Sequence, residues 1–135
     1  MDNSSNIKSA DSTVVVTGLS AITPLGESID EFWGNLCNGK SGIGPITLCD
    51  PRPFPCRIAG EVSNFDPTNY METKDAKRMA RFSQLAVAAA GEAIKHSDLD
   101  ISSYPNPERI GVVMGNGNGG FPTIEENARL LFSRG

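Results

Sequence analysis

Valine fills three consecutive positions, Val14, Val15 and Val16, between Thr13 and the pair Thr17 and Gly18. An unbroken β-branched run of this length predicts a short strand over 13–18 that is covered on both faces, as strands of α/β folds are. The period then changes. Ile29, Phe32, Trp33, Leu36 and Cys37 fall at i, i+3, i+4, i+7 and i+8, one apolar stripe along a helix over 28–38. Ser28 and Glu31 have the spacing of a capping box, in which the hydroxyl accepts the backbone N–H three residues on while the carboxylate reaches back. Gly39 suits a left-handed C-terminal cap. On this stripe Cys37 reads as a small buried hydrophobe rather than a nucleophile.

Gly42, Gly44, Pro45, Pro51, Pro53 and Pro55 crowd residues 40–56, so an irregular surface connection is predicted there, followed by a brief strand over 57–62. Met79, Phe82, Ala86, Ala89, Ala90 and Ala93 then repeat at helical spacing, which predicts one helix over 75–96 whose alanines let a neighbour pack closely. A second buried strand is predicted over 109–114, running into the glycine-rich stretch 115–120 and a last helix over 123–132 opened by Thr123 and Glu126 as another capping box. Strand, helix, helix, strand, helix is the alternation of parallel strands with crossover helices, so the fold class is α/β. No repeat and no Gly/Ser linker divides the chain, and the Asn/Ser-rich start suggests a flexible segment 1–12 before a single domain over 13–135. Two apolar strands make a very small sheet, and an open Val-Val-Val edge invites aggregation, so the domain is expected to be incomplete as given.

Composition narrows the choice of functions. At 135 residues, 39% hydrophobic and 21% charged, the chain fits one ordinary domain and neither a repeat array nor a disordered protein. With 12 Lys and Arg against 16 Asp and Glu, the net charge is -4, so no global basic field exists to attract nucleic acid. Docking to an acidic partner must use a local patch. No apolar run approaches the ~20 residues that cross a bilayer, and the polar start lacks the pattern of a signal peptide. A soluble cytoplasmic protein without membrane contact is expected. The three cysteines, Cys37, Cys49 and Cys56, include no CxxC pair, which argues for reduced thiols and against a disulfide framework or a zinc site. The single histidine, His96, has no second histidine for a metal cluster or proton relay, and at a helix end it reads as a cap or a simply exposed side chain. No cofactor is expected.

Three features invite a chemical reading. The turn at 115–120 follows a strand and precedes a helix, but it lacks both the lysine of a P-loop and the acid of a dinucleotide fingerprint. Its glycines read better as positions of positive φ or close backbone approach, which includes the case of a loop lining a ligand cavity. Lys74, Lys77, Arg78 and Arg81 stand at i, i+3, i+4 and i+7, a basic stripe on an acidic chain. It is either a solvated helix face, partly neutralised by Glu72 and Asp75, or a docking site for an anionic partner. Glu125 and Glu126 fall in the first turn of the last helix, where negative charge complements the macrodipole, and neighbours on a helix do not face each other for acid–base work.

The order and spacing of several fragments carry a further reading. Val14-Val15-Val16-Thr17-Gly18, then Thr23-Pro24-Leu25-Gly26, Phe32-Trp33, Gly39-Lys40-Ser41-Gly42-Ile43, Ile58-Ala59-Gly60, Lys77-Arg78-Met79, Arg109-Ile110-Gly111 and the turn from Gly115 to Gly120 resemble the opening of β-ketoacyl-acyl-carrier-protein synthases, nearest the synthase II type. The resemblance covers about 13–134 and implies part of the N-terminal half of a layered thiolase-like fold, in an enzyme that is usually a homodimer. It implies a condensation in fatty-acid elongation. An acyl chain is held on a cysteine, malonyl-carrier protein loses CO₂, and the resulting carbanion attacks the thioester, with two histidines and an oxyanion hole stabilising charge.

None of those catalytic residues matches a position of this chain, and Cys37, Cys49, Cys56 and His96 correspond to none of them. The segment alone is therefore expected to be inactive, with no catalytic residue assigned. Two features do carry over. Positions matching Lys74, Lys77 and Arg78 help dock the acidic acyl carrier protein in the family. The position matching Asn118 usually holds an apolar residue lining the acyl tunnel, so the amide departs from the pattern and implies an altered acyl preference or a rotamer facing solvent. Ser20 also departs, since the family often has glycine there. A polyketide ketosynthase or its chain-length partner shares these opening motifs, and a non-catalytic module that binds carrier protein is a further alternative.

Overall fold

The computed structural model describes residues 13–117 and 119–135. Helix α1 spans Ile29–Cys37, a short antiparallel hairpin joins β1 (Ile43–Pro45) to β2 (Ile58–Gly60), and a 3-10 turn at Pro67–Asn69 leads into α2 (Thr73–Ala76). The long helix α3 (Arg81–His96) follows, then a 3-10 turn at Pro107–Arg109 and helix α4 (Phe121–Arg134). The segment 1–12, expected to be flexible, lies outside the described residues, as does Asn118.

The predicted helix 28–38 forms within a residue at each end. The Ser28 hydroxyl accepts the Glu31 N–H at 3.2 Å, and Gly39 takes φ +67° just past the helix end. The reciprocal arm of the capping box is displaced, because the Glu31 carboxylate accepts from the Glu27 N–H at 3.1 Å. Cys37 departs from expectation. It is exposed, as are Trp33 and Leu36, while Ile29 and Phe32 are half-buried, so the apolar stripe of α1 is covered only in part.

The connection predicted as irregular over 40–56 contains β1, which pairs antiparallel with β2 so that Ile43 faces Gly60 and Pro45 faces Ile58. Proline is tolerated because this two-stranded sheet has only edges. Pro24 explains the glycines around it: a Cβ on Gly42 would lie 2.8 Å from the Pro24 Cβ, and one on Gly60 3.0 Å from its Cγ. Glu61 closes the long hairpin loop by accepting from the Thr47 hydroxyl at 2.6 Å and from the N–H groups of Thr47 and Leu48. These donors, the Thr47 hydroxyl foremost, hold its carboxyl below the usual glutamate range.

Neither predicted parallel strand forms. Residues 13–18 and 109–114 form no strand ladder among the described residues, Arg109 ending a 3-10 turn instead, and Val14 and Val113 are 96% and 98% exposed. The first segment is instead attached at its end. Leu19 N–H donates to His96 Nδ1 at 2.9 Å, while Gly18 lies so close to Ala93 and Ser97 that a Cβ would overlap the Ala93 carbonyl. His96 thus accepts a hydrogen bond from a distant segment, which fixes its ring as the tautomer with the proton on Nε2.

The helix predicted over 75–96 is divided at 77–80. Ala80 is extended at φ -65°, ψ 153°, and the Gln84 amide donates to the carbonyls of Ala76 at 2.7 Å and Met79 at 3.3 Å. In an unbroken helix those carbonyls would accept from the N–H groups four residues on; here the Ala76 carbonyl accepts from the Met79 N–H at 3.3 Å, and the Gln84 amide adds a second donor to Ala76 and supplies one to Met79. Helix α4 begins earlier than the Thr123 signal predicts. Gly120, at φ +90°, is its cap, and Pro122 occupies the first turn, where a proline costs no hydrogen bond. Thr123 is therefore inside the helix and caps nothing. Among the described residues only Phe65, Ala76 and Ala88 are buried apolar residues, which places the small core where α2 and α3 meet the 3-10 turn at Pro67–Asn69. No helix among the described residues is long and apolar enough to cross a membrane.

Candidate functional site

The best-organised surface is the corner where α2 turns into α3. Asp66 caps the preceding 3-10 turn, accepting from the Thr68 N–H at 2.8 Å and its hydroxyl at 2.7 Å, which lowers its carboxyl pKa. That turn sets Tyr70 face to face with Phe65, ring centroids 5.5 Å apart, and burial raises the Tyr70 phenol above its ordinary range, helped by the charges of Glu27 and Glu92. Ala76 faces inward from α2 and is buried, so Lys77 and Arg78, which follow it, are turned to solvent together with Lys74.

Lys74, Lys77 and Arg78 form no ion pair among the described residues, despite Glu72 and Asp75 nearby in sequence. Their cationic groups remain available to an outside anion. Arg81, the fourth member of the predicted stripe, is engaged elsewhere. Its guanidinium lies 4.7 Å from the centre of the Phe65 ring and donates to the Phe65 carbonyl at 3.1 Å and the Val62 carbonyl at 2.8 Å. The break at 77–80 explains the difference, because the spacing that puts four cations on one stripe holds only for a continuous helix. Sequence reasoning missed the roles of both Arg81 and Gln84. Neither has a local signal, since each acts on backbone carbonyls of another element.

A second feature lies beside the glycine-rich turn. Asn116 Oδ1 accepts the Gly119 N–H at 3.1 Å, and Gly119 and Gly120 lie against Phe82, where a Cβ on Gly119 would be 2.8 Å from the ring. Close approach accounts for these two glycines, whereas Gly115 and Gly117 face open space. An apolar cleft of about 390 Å³ opens between Phe82, Ala86, Val87 and Met114. A larger polar cleft of about 530 Å³ lies between the 23–27 turn and Glu61, but the carboxylates of Glu31 and Glu61 on its wall are occupied by backbone N–H groups. The described residues contain no cluster of three metal-ligating side chains, and the three cysteines are free and exposed. Among the described residues this geometry offers an exposed cationic corner and an apolar cleft, not a nucleophile with a base.

A family model for the beta-ketoacyl synthase N-terminal domain matches residues 11–134. The chain belongs to the beta-ketoacyl synthase family. Among its relatives, the 3-oxoacyl-[acyl-carrier-protein] synthase 2 of Synechocystis sp. PCC 6803 is 44% identical over 122 residues, 90% of this chain and 29% of the relative. The protein of the same name from Staphylococcus aureus strain COL is 40% identical over the same shares. This synthase-family chain thus spans less than a third of the length of the curated relatives it matches. The solved ishigamide ketosynthase/chain length factor is similar with a TM-score of 0.60 and 34% identity, over 65% of this chain and 22% of that one. The beta-ketoacyl synthase domain described here accordingly has the mixed helix and strand architecture of part of the N-terminal half of a thiolase-like fold, although its two β-branched segments lack strand partners.

Proposed function

We propose that the protein bearing this domain is a 3-oxoacyl-[acyl-carrier-protein] synthase, an acyltransferase that condenses an acyl thioester with malonyl-carrier protein in fatty-acid elongation. The observation that supports this best is the corner of Lys74, Lys77 and Arg78, three exposed cations with no ion-pair partner among the described residues, on a chain of net charge -4. An acidic acyl carrier protein is the partner that such a patch attracts, and the relatives are named for the same partner. Electrostatic complementarity of this kind acts on encounter rate and orientation. In this reading residues 13–135 form one partial domain of a cytoplasmic homodimer that needs no cofactor, and the catalytic cysteine and histidines are supplied by other parts of the enzyme.

The chain's own contribution is delivery and accommodation of the acyl group. The cationic corner orients the carrier, and the apolar cleft beside Phe82 and Met114 gives alkyl carbons a lower-energy surface than water. Asn118 belongs to the same turn in sequence, and an amide facing an alkyl chain costs free energy unless it is hydrogen-bonded. Asn118→Ile is expected to shift chain-length preference in the whole enzyme. The deciding experiment replaces Lys74, Lys77 and Arg78 together by Glu. The KM for an acyl-carrier-protein substrate should rise roughly tenfold or more, while a carrier-free pantetheine thioester is used as before. An unchanged KM for the carrier-borne substrate sinks the docking reading. The likeness to the ishigamide ketosynthase/chain length factor favours one second reading, a polyketide ketosynthase or its chain-length partner. Product analysis with a purified carrier protein separates the two.

A further inference from the structure

Resting on the docking reading above, we propose that Gln84 and Arg81 are positioning residues for carrier recognition: they hold the Lys77 and Arg78 corner in its bent form without touching the carrier themselves. Residues 73–96 have the composition of one continuous helix, rich in alanine and with no proline. The structure nevertheless turns at Ala80, whose ψ of 153° takes the backbone out of the helical region. A continuous helix would draw Lys74, Lys77, Arg78 and Arg81 onto one stripe; the bend removes Arg81 from it and leaves the other three exposed.

Two side chains of the first turn of α3 account for the bend. The Gln84 amide donates both of its hydrogens, at 2.7 Å to the Ala76 carbonyl and at 3.3 Å to the Met79 carbonyl, and these two residues bracket Lys77 and Arg78. Arg81 fixes the other side. Its guanidinium donates to both the Val62 and Phe65 carbonyls and covers the ring of Phe65, the largest buried apolar side chain among the described residues. Both contacts need fork-shaped donors. Lysine offers a point charge that neither forks nor stacks in the same way, and methionine fills the volume of glutamine with no donor.

The test uses Gln84→Met and Arg81→Lys in the whole enzyme, both of which keep the net charge, so a loss of carrier binding cannot be an effect of charge. Each is expected to raise the KM for acyl-carrier-protein substrate roughly three- to tenfold, while kcat and the KM for a carrier-free pantetheine thioester move less than twofold. An unchanged KM for the carrier-borne substrate in both variants, alongside a large effect of the Lys74, Lys77 and Arg78 reversal, overturns the positioning role and leaves docking intact. No effect of the reversal itself overturns the docking reading, and this proposal with it. Equal losses on both substrates mean a general structural role and also overturn it. If Gln84→Met does not fold, Arg81→Lys decides on the same readouts.

Discussion

Around Phe65 the chain closes on itself: the ring is 4% exposed, stacked on Tyr70 and covered by Arg81. Around Val14 and Val113 it does the opposite, with side chains 96% and 98% exposed and no ladder partner among the described residues. Hydrophobicity does not separate the two regions, since the valine run is the more apolar sequence. What separates them is how far away the partner must be. Phe65 meets its neighbours within 16 residues through a turn, a short helix and one arginine, whereas a β-branched segment buries both faces only when other strands flank it. Local side-chain to backbone bonds therefore complete the cationic corner, while the sheet-forming segments have no ladder partner among the described residues.

Breaking the closed region should have the largest effect. Phe65→Ala removes the main buried side chain and the platform under the Arg81 guanidinium, and a loss of about 3 kcal/mol is expected from denaturant unfolding, at the low end for a buried aromatic because the core is small. A loss well under 1 kcal/mol would mean that the corner is held by its hydrogen bonds alone. Next comes the place where the first open segment is tied to α3. Gly18→Val puts branched carbons against the Ala93 carbonyl and the Ser97 side chain, and a helix carbonyl cannot move aside. A cost of about 2 kcal/mol is expected, and hydrogen exchange of the Leu19 amide, now bonded to His96, should accelerate. Protection of that amide in the variant would show that the attachment depends on the hydrogen bond rather than on close approach.

The same division decides what can be read from the sequence. Helix α1 was legible because its signals are local: Ser28 does cap Glu31, and Gly39 does end the helix with positive φ. Pro122 was an equally local signal for the start of α4, and the Thr123–Glu126 spacing masked it. The break at 77–80 is not legible, because it depends on Gln84 reaching back to the Ala76 carbonyl at the end of α2 and to the Met79 carbonyl within the break. Strand pairing over 13–18 and 109–114 was inferred from composition, which records a need for cover and says nothing of where the cover is. For the candidate site, the exposure of Lys74, Lys77 and Arg78 followed from the pattern, whereas Arg81 was misplaced by assuming a straight helix. Ser28→Ala tests the local half of this argument, with an expected loss of about 1 kcal/mol and fraying confined to α1.

The smallest expected effect sharpens the comparison from a third place, the turn that leads from α3 to the second β-branched segment. Asp100 accepts from the Ser102 hydroxyl at 2.6 Å and the Ser102 N–H at 2.9 Å. The Ser102 and Ser103 hydroxyls, with backbone N–H groups adding to them, lower its pKa from 3.8 to about 2. Because the folded value lies below the unfolded one, the turn gains stability above the unfolded pKa and loses it as pH falls from about 4 through about 2. An NMR titration of the Asp100 carboxyl should give a midpoint near 2, and Ser102→Ala should return it toward 3.8. The carboxylate is fully exposed, so the effect should stay within the turn and leave unfolding of the Phe65 corner unchanged. A change in the unfolding of that corner across the same pH interval would show that the turn is coupled to the closed region, and that the two halves of the chain are less independent than their contacts suggest.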